Sequence, residues 1–452
     1  MGSAGDSDSI LECDVLILGA GIFGTSTAYH LSLDRNRDYA SKITVLDRAQ
    51  APSPDAASSD INKIVRADYS KTFYMNLAYE AMESWIHSPL LSPYFHQTGW
   101  VMLDEQESDL ADRIRRNFRE SGRPDTSADI TLEQVKADSS WGGVLSGIDT
   151  AGYGKAYTNS SAGWADASAA VEAMMKEAIK AGVKYEVGEI VELLYEQDDG
   201  TGGAGRGGGG GRVTGVRTAD GRTFCGEKIV LATGAWTPWL MAPLEKQLKI
   251  PYEDSIRKQI QAAGVCVASF RLSEDEARYY SQMPVLVYGA KGEVIPPNKD
   301  RFLKFTNANT FLNSQPHPQT GALVSVPSPE QKTVPEALKR QSIDIIRQRI
   351  PQILADGRMP DDWRICWDAI SPDQNQLIAR HPDPRLSNLY FATAGSFHSW
   401  KFLPNIGKYV VNVLAGKSNG PEKDGAWAWK KEWAGRGAHE KVLPKGELRD
   451  FG

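Results

Sequence analysis

The sequence predicts an α/β fold with mixed sheets, in which one domain has a largely parallel sheet and a second domain has an antiparallel sheet. An apolar run at 13–18, CDVLIL, ends in glycines, which is typical of a buried parallel strand. Helix and strand patterns alternate over the first fifty residues, whereas short alternating segments fill about 245–330. With 452 residues the chain is too long for one small core, so we expect two domains.

The elements follow in order along the chain. After the first strand we predict a helix over 22–32 and a second strand over 42–47. Longer helices are predicted at 71–88, at 166–181 with Asp166 as N-cap, and at 335–350. Short strands fill 185–233, and the chain returns to a strand at 389–394 and a helix starting near Asn405. The glycine run at 200–211 cannot bury apolar surface, so we expect a mobile hairpin tip without chemistry.

Composition excludes several classes of protein. The net charge is −6 and no Lys/Arg run could follow a phosphate backbone, so we expect no nucleic-acid partner. The four cysteines, Cys13, Cys225, Cys266 and Cys366, lack CxxC spacing, which argues against a metal site or a disulfide framework. Neither a signal peptide, a membrane span nor a C-terminal peroxisomal tripeptide is visible, so we expect a cytoplasmic protein that does not enter a membrane.

A glycine motif follows the first strand. Gly19 permits a tight turn, Gly21 lets the backbone approach a pyrophosphate, and Gly24 lets the helix pack closely on the strand. Asp47 ends the second strand, where its carboxylate can accept hydrogen bonds from ribose hydroxyls and disfavours a 2′-phosphate. The motif therefore predicts a Rossmann-type site for an ADP-containing cofactor, either FAD or NAD. A second apolar strand that runs into Ala232-Thr233-Gly234 favours FAD.

Four further segments, together with the glycine motif, are similar to one family. They are Ser58–Arg66 (SSDINKIVR), Arg301–Thr306 (RFLKFT), Cys366–Asp373 (CWDAISPD) and Gly395–Lys408 (GSFHSWKFLPNIGK). In this order they resemble the family of monomeric sarcosine oxidase, pipecolate oxidase and the fungal fructosyl amino acid oxidases (amadoriases), over nearly the whole chain. The resemblance implies a Rossmann-type FAD-binding domain and an antiparallel-sheet substrate domain, an architecture like that of glutathione reductase and D-amino-acid oxidase.

The resemblance also implies how the chain is divided and how it holds its cofactor. We expect the FAD-binding domain in 1–90, 150–240 and 360–435, the substrate domain in 91–149 and 241–359, and a C-terminal tail in 436–452. Cys366 matches the cysteine that family members join to the flavin 8α-methyl carbon, so covalent FAD is expected. The positions expected to contact FAD are Gly19, Gly21, Ile22, Phe23, Gly24, Asp47, Arg48, Ser59, Lys63, Ala232, Gly234, Trp236, Cys366, Asp368, Gly395, Phe397, His398 and Lys401.

The same family match assigns roles to charged residues. Lys304 matches the lysine that promotes reaction of the reduced flavin with O2, and an ammonium on an otherwise apolar strand is costly without a function or a partner. Lys63 and Arg66 match basic positions over the flavin ring, and Lys401 matches the lysine that binds the substrate carboxylate with help from Arg66. We expect Asp60 and Trp367 to contribute to substrate binding. Without the resemblance, the two cations of Ser58–Arg66 would indicate a solvated surface.

One position departs from the family pattern. Fructosyl amino acid oxidases carry an acid four residues after the lysine matched by Lys304, whereas this chain has Ala308. We therefore expect a monomeric oxidase of N-methyl or cyclic amino acids, whose partners are a small secondary amine and O2 and whose product is H2O2. The alternatives are a fructosyl amino acid oxidase, a flavin dehydrogenase that avoids O2, and a flavoprotein without turnover.

Overall fold

The computed structural model describes residues 10–33, 37–197, 211–433, 437 and 442–452. The glycine run at 200–211, expected to form a mobile hairpin tip, lies outside the described residues except for Gly211. No α-helix in the described part of the chain is long and apolar enough to cross a membrane.

The strands in the described residues are, in chain order, β1 (Ile10–Leu18), β2 (Ile43–Asp47), β3 (Asn62–Val65), β4 (Phe95–His96), β5 (Trp100–Glu105), β6 (Ser127–Ile130), β7 (Tyr153–Asn159), β8 (Gly163–Asp166), β9 (Lys184–Val187), β10 (Ile190–Gln197), β11 (Gly211–Thr218), β12 (Thr223–Leu231), β13 (Gln261–Arg271), β14 (Val285–Tyr288), β15 (Gly292–Ile295), β16 (Phe302–Phe311), β17 (Ser314–Pro316), β18 (Leu323–Ser325), β19 (Asp362–Ile370), β20 (Leu377–Arg380) and β21 (Leu389–Thr393).

The α-helices in the same ranges are α1 (Ile22–Leu33), α2 (Arg37–Ala40), α3 (Thr72–His87), α4 (Leu110–Glu120), α5 (Leu132–Ala137), α6 (Ala167–Lys180), α7 (Thr237–Gln247), α8 (Ile256–Gln259), α9 (Glu274–Tyr280), α10 (Glu336–Arg349), α11 (Ile406–Leu414) and α12 (Pro421–Trp427). The predicted helices at 22–32, 71–88, 166–181 and 335–350 correspond to α1, α3, α6 and α10. Asp166 occupies the N-cap of α6, but its carboxylate pairs with His96 at 2.8 Å and caps no backbone N–H.

The first sheet has a parallel centre. Its main path runs β10-β11-β12-β1-β2-β9, and β21 pairs with the carboxyl end of β12 while β20 pairs with β21. The pairs β1–β2, β1–β12, β2–β9 and β12–β21 are parallel, so β1 is central and its residues Val15–Leu18 are buried. This position explains why β1 has a continuous apolar sequence.

Two distant helices cover one face of the first sheet. The Gly407 N–H of α11 donates to Ser26 Oγ of α1 at 2.9 Å, and a Cβ at Gly407 would lie 2.1 Å from the Ser26 carbonyl oxygen. Only glycine permits this approach. Gly407 therefore lets helices from the N-terminal and C-terminal parts of the chain pack together on the first sheet.

The second sheet is mixed, with the order β19-β13-β16-β15-β14-β5-β7-β6. All its pairs are antiparallel except β5–β14, which is parallel. A third, three-stranded sheet, β3-β8-β4, is also antiparallel, and β17 pairs with β18.

Two strands from ranges expected in the FAD-binding domain belong to the second sheet. β7 and β19 lie in ranges that we assigned to the FAD-binding domain, 150–240 and 360–435, yet both pair in the second sheet. β19 pairs with β13 from Gln261↔Ile370 to Ser269↔Asp362, and the local sequence of a strand does not reveal so distant a partner. In the expected tail at 436–452, Glu447 binds Ser314 and Lys445 N–H donates to the Thr310 carbonyl.

Burial of one acid generates a prediction about pH. Glu245 of α7 is 3% exposed, and its Oε1 accepts the Ile256 N–H at the start of α8 at 2.6 Å. Burial raises the pKa of Glu245 from 4.5 to about 7, against the smaller opposing effects of this hydrogen bond and of Arg257. Between these two values the folded protein keeps a proton that the unfolded chain loses, so its free energy of unfolding falls as the pH rises.

We expect this loss to disappear in Glu245→Gln, which keeps the acceptor oxygen but cannot ionise. Relative to that variant, the unmodified protein should lose roughly 3 kcal/mol of stability between pH 4.5 and pH 8, from about 1.4 kcal/mol per pKa unit. Urea denaturation across this range measures the difference, and Glu274→Gln, at an exposed position, is the control. If the two proteins differed in free energy of unfolding by the same amount at pH 5 and at pH 8, the raised pKa of Glu245 would be contradicted.

Candidate active site

A cavity of about 660 Å³ lies at the carboxyl ends of β1, β2 and β12 and is closed on the other side by the second sheet. In sheets with a parallel centre, ligands bind at this edge because the loops that follow the strands meet there. One end is lined by the glycine turn and Asp47, and the other by β13, β15, β16 and β19. In the described ranges no group of three or more His, Cys, Asp or Glu side chains is placed to hold a metal ion.

The glycine turn is shaped for a ligand that touches backbone. A Cβ at Gly19 would lie 2.5 Å from the Ala232 carbonyl oxygen, and one at Gly21 would lie 3.1 Å from Ser58 Oγ inside the cavity wall. A Cβ at Gly24 would lie 1.9 Å from the Gly19 carbonyl oxygen, so this glycine serves the packing of α1 on β1. Gly19 and Gly21 line the cavity with Ile22 and Phe23, where the N-terminus of α1 can bind phosphates.

Asp47 has one hydrogen bond at each carboxylate oxygen. Oδ2 accepts the Ala20 N–H at 2.6 Å and Oδ1 accepts the Arg48 N–H at 2.7 Å. Burial raises the pKa of this carboxyl, and both N–H groups oppose the shift. Each oxygen keeps a lone pair for a ribose hydroxyl. These residues fit the ADP part of a dinucleotide.

Arg48 and Trp236 form the wall beside Asp47. The Arg48 guanidinium lies 4.6 Å from the centre of the Trp236 ring, within the range of a cation–π contact. Ala232 and Gly234, which follow β12, line the same part of the cavity. All four are positions expected to contact the cofactor.

The pairing of β13 with β19 decides which residues of the cysteine segment face the cavity. Cys366 lies opposite Val265, which also lines the cavity, and Trp367 lies opposite Gly264 on the other face. Successive strand residues point to opposite faces. The Trp367 side chain is accordingly buried in a hydrophobic cluster against Phe311, although Trp367 also borders the cavity, and its contact with substrate stays a prediction.

Asp368 shares the Cys366 face and holds the next segment in place. Its Oδ2 accepts the Phe397 N–H at 2.8 Å, and a Cβ at Gly395 would lie 2.7 Å from the same oxygen. Ala394, Ser396 and Phe397 all have positive φ, which is strained for residues with side chains. Burial raises the pKa of Asp368, and its hydrogen bonds to backbone N–H groups oppose this. Asp368 thus holds a strained turn whose residues line the cavity.

One buried carboxylate is shared by two lysines. Asp60 Oδ2 lies 2.7 Å from Lys63 Nζ and 2.9 Å from Lys304 Nζ, and Lys304 also donates to the Asn62 carbonyl at 2.6 Å. Burial alone would raise the pKa of Asp60, but the two ammonium charges outweigh it and hold the pKa below its ordinary value. This Asp60–Lys63–Lys304 cluster explains how an apolar strand carries a lysine. Asp60, expected to bind substrate, has its Oδ2 occupied by both lysines.

Two further buried cations face the cavity. Arg66 is 7% exposed and its guanidinium lies 4.7 Å from the ring centre of Tyr69 and 4.8 Å from that of Trp100. Lys401 is 5% exposed, and burial lowers its pKa well below the ordinary value, with a further contribution from the charge of Arg66. The buried Asp68 offsets part of the charge of Arg66, whereas Lys401 donates to the neutral Tyr69 hydroxyl and His398 carbonyl. Buried like charges near one another are costly, so the pair is suited to an anionic ligand.

A chain of hydrogen bonds fixes Lys401. Its Nζ donates to Tyr69 Oη at 3.0 Å and to the His398 carbonyl at 2.5 Å. His398 Nε2 lies 2.8 Å from the Gln374 carbonyl, so this nitrogen carries the proton and Nδ1 can accept from Tyr69 Oη at 3.1 Å. The Tyr69 hydroxyl therefore donates to His398 and accepts from the Lys401 ammonium. His398, which we expected near the cofactor, thus orients the hydroxyl that binds Lys401.

Most, but not all, of the expected site residues line this cavity. Gly24, Ser59 and Lys304 do not; Gly24 packs α1 on β1, the Ser59 carbonyl accepts from Arg364, and Lys304 is enclosed by its cluster. Sequence reasoning missed Ser58, whose Oγ accepts the Ile22 N–H at 3.0 Å, and Glu293 and Thr306, which line the substrate end. Glu293 lies outside every motif, which explains its omission, whereas Ser58 and Thr306 belong to segments already identified.

Comparisons with known proteins agree with this geometry. The family described as FAD dependent oxidoreductase matches residues 14–413. The chain is 26% identical to the L-saccharopine oxidase of Schizosaccharomyces pombe, covering 92% of this chain and 93% of that protein. It is 22% identical to the peroxisomal sarcosine oxidase of Homo sapiens, covering 88% and 91%. The crystal structure of a fructosyl peptide oxidase from E. terrenum superposes with a TM-score of 0.79 at 26% identity, covering 98% and 97%.

The Asp60–Lys63–Lys304 cluster generates a prediction about stability. Asp60→Asn leaves two buried ammonium groups without their carboxylate, and breaking a buried ion pair costs roughly 3–5 kcal/mol. We therefore expect a large fall in the free energy of unfolding, measured by denaturant titration of the flavin-loaded protein. Asp275→Asn removes the exposed partner of Arg278 and should change stability by less than about 0.5 kcal/mol. Equal effects of the two substitutions would contradict the role given to Asp60.

Proposed function

The chain belongs to the family of FAD-dependent oxidoreductases, and we propose that it is an oxidase of N-substituted α-amino acids that reduces O2 to H2O2. The observation that carries the proposal is the buried pair Arg66 and Lys401, which faces the same cavity as the dinucleotide turn and Cys366. FAD supplies the hydride acceptor when it is bound. The residues of this chain bind the substrate, orient it and exclude water.

Arg66 and Lys401 would hold the substrate carboxylate. A guanidinium and an ammonium in a largely dry pocket bind a carboxylate through charge-assisted hydrogen bonds. The Arg66 plane is held by the Tyr69 and Trp100 rings, and Lys401 by Tyr69 and His398, so both donors are positioned before substrate arrives. Anchoring the carboxylate sets the adjacent C–H bond in one place, which is the main contribution of such residues to rate.

Hydride leaves the carbon next to nitrogen with the help of the nitrogen lone pair, so the substrate amine must be neutral and a protein nucleophile is unnecessary. Trp100 and Trp400 line this part of the cavity and restrict water. The resulting imine is hydrolysed or captured by an internal nucleophile.

The Asp60–Lys63–Lys304 cluster would promote the reaction with O2. Two ammonium groups share one carboxylate, so the cluster has an excess positive charge where negative charge develops on oxygen. Lys304 Nζ donates to Asp60 and to the Asn62 carbonyl, which fixes the ammonium beside Lys63 at the cavity wall. This arrangement favours an oxidase over a dehydrogenase.

The substituent on nitrogen is small or cyclic in this proposal. Ala308 lines the cavity on the strand that carries Lys304, so no acid is available at that position to engage a sugar-bearing amine. A fructosyl amino acid oxidase is the second candidate, favoured by the superposition on the fructosyl peptide oxidase.

Anaerobic bleaching of the bound flavin tests the proposal. N-methyl amino acids and pipecolate should bleach the flavin, and air should restore it with formation of peroxide. Lys401→Met should raise the KM for these substrates at least about tenfold, a loss of about 1.4 kcal/mol in binding, and should leave bleaching by an N-methylalkylamine without a carboxylate unchanged.

Each contrary result points to one alternative. Bleaching by fructosyl-valine alone indicates the second candidate, and bleaching without peroxide indicates a dehydrogenase. No bleaching by any amine indicates a flavoprotein without turnover.

We also propose that the flavin is joined to Cys366 through a thioether at its 8α carbon. Cys366 faces the cavity beside Val265 and Val267, and Lys63 is close enough for the thiolate charge to raise the pKa of Lys63. A cysteine sulfur that faces the cofactor cavity is placed to form such a bond.

Acid precipitation of the protein tests this attachment. The yellow colour should stay in the pellet of the unmodified protein and move to the supernatant for Cys366→Ala. Cys266→Ala is the matched control, because Cys266 is buried in a hydrophobic cluster on the opposite face of β13. Free flavin in the supernatant of the unmodified protein would contradict the covalent link.

A further inference from the structure

The substrate end of the cavity contains an acid that the proposed reaction does not use. Glu293 of β15 is half-buried, lines the cavity and lies opposite Thr306 of β16 and Val287 of β14, which line it too. Its side chain therefore lies on the cavity face of the second sheet. In the described part of the chain its carboxylate makes no hydrogen bond and no ion pair.

The other acids that line the cavity either have hydrogen-bond or ion-pair partners or lie away from the substrate end. Asp47 and Asp368 accept backbone N–H groups, and Asp60 binds two lysines. Asp55 pairs with Arg48 at 3.9 Å, and Glu189 is exposed beside the dinucleotide turn. Glu293 is thus the acid at the substrate end whose oxygens are open to a ligand, among the residues that the structure describes.

Its surroundings are strongly cationic. The negative charge of Glu293 raises the pKa of Lys63 and opposes the lowering of the pKa of Lys304 and Lys401, so it lies within electrostatic range of all three. A substrate that carries an extra positive charge would be repelled by these lysines and by Arg66. A carboxylate at the same end of the cavity, on the strand next to that of Lys304, offsets that repulsion.

The reacting nitrogen is a poor match for this carboxylate. Hydride loss needs a neutral amine, and an anion beside the nitrogen would stabilise its protonated, unreactive form. A cation that does not react meets no such conflict. Ala308 lies diagonally across from Glu293 on β16, about 7–8 Å away for such a pair, and its small side chain leaves space beside the carboxylate.

We propose that Glu293 selects substrates with a second ammonium group, separate from the nitrogen that is oxidised. The substrate class is then the N-substituted diamino carboxylic acids: Arg66 and Lys401 bind the carboxylate, and Glu293 binds the distal ammonium. This inference rests on the proposed function and specifies the substrate of that same site.

Two matched pairs of compounds test the selection with the holoenzyme. Nα-methyl-L-lysine is compared with Nα-methyl-L-norleucine, which lacks the side-chain ammonium. N-(3-aminopropyl)glycine is compared with N-butylglycine, where the charge is on the nitrogen substituent. We expect kcat/KM to favour the charged member of at least one pair by about tenfold or more, which corresponds to about 1.4 kcal/mol.

Glu293→Gln should abolish the preference for the charged member of each pair, because kcat/KM should fall more for the charged member than for the neutral member. Glu293→Lys should favour Nα-methyl-L-2-aminoadipate, whose side chain ends in a carboxylate. Glu274→Gln removes an exposed acid of α9 and should leave both ratios unchanged. Flavin content and thermal unfolding show whether each variant is folded.

An unchanged ratio in Glu293→Gln, or no preference in either pair for the unmodified enzyme, would overturn the selection. The failure of the proposed function gives a different result, since none of the four compounds would then bleach the flavin. If all four bleach it equally, the oxidase assignment stands and the role of Glu293 does not.

Discussion

A single buried carboxylate joins the parts of the site that come from different regions of the chain. Asp60 precedes β3, and its Oδ2 binds both Lys63 on β3 and Lys304 on β16 of the second sheet. Without the carboxylate, two ammonium groups would lie in an interior where isolated charge is highly unfavourable. With it, the small sheet that carries Lys63 and the large sheet that carries Lys304 have one relative position, and the cavity wall between them is defined.

The charge pattern of the cavity follows from the same arrangement. Lys63 and Arg66 face it from the Ser58–Arg66 segment and Lys401 from the Gly395–Lys408 segment, whereas Asp60 compensates only part of that charge. The excess suits a carboxylate ligand and electron-rich chemistry at the isoalloxazine. Glu293 adds one carboxylate at the substrate end, on the strand next to that of Lys304.

Local sequence patterns predicted much of the fold and of the cofactor site. The glycine turn, Asp47 and the bounds of α1, α3, α6 and α10 depend on residues near one another in the chain, so their patterns were sufficient. Cys366 came from a family segment, while Trp367, its neighbour, was assigned a substrate contact that the alternation of β19 does not favour. Lys304 looked unpaired because Asp60 is 244 residues away, and Glu293 lay in a strand without any motif. Pairing between strands that are distant in sequence determines the neighbours of these residues, and the residues around them in the sequence do not reveal that pairing.

The interleaving of the chain has a consequence for its biosynthesis. β1 gains its parallel neighbour β12 only after residue 231 has been made, and α1 gains the close contact with α11 only after residue 407. Contacts of such long range close large loops and form slowly. During synthesis β1 and α1 therefore lack these two partners until residues 231 and 407 have been added. Flavin can be captured in its final position only by a chain that is almost complete.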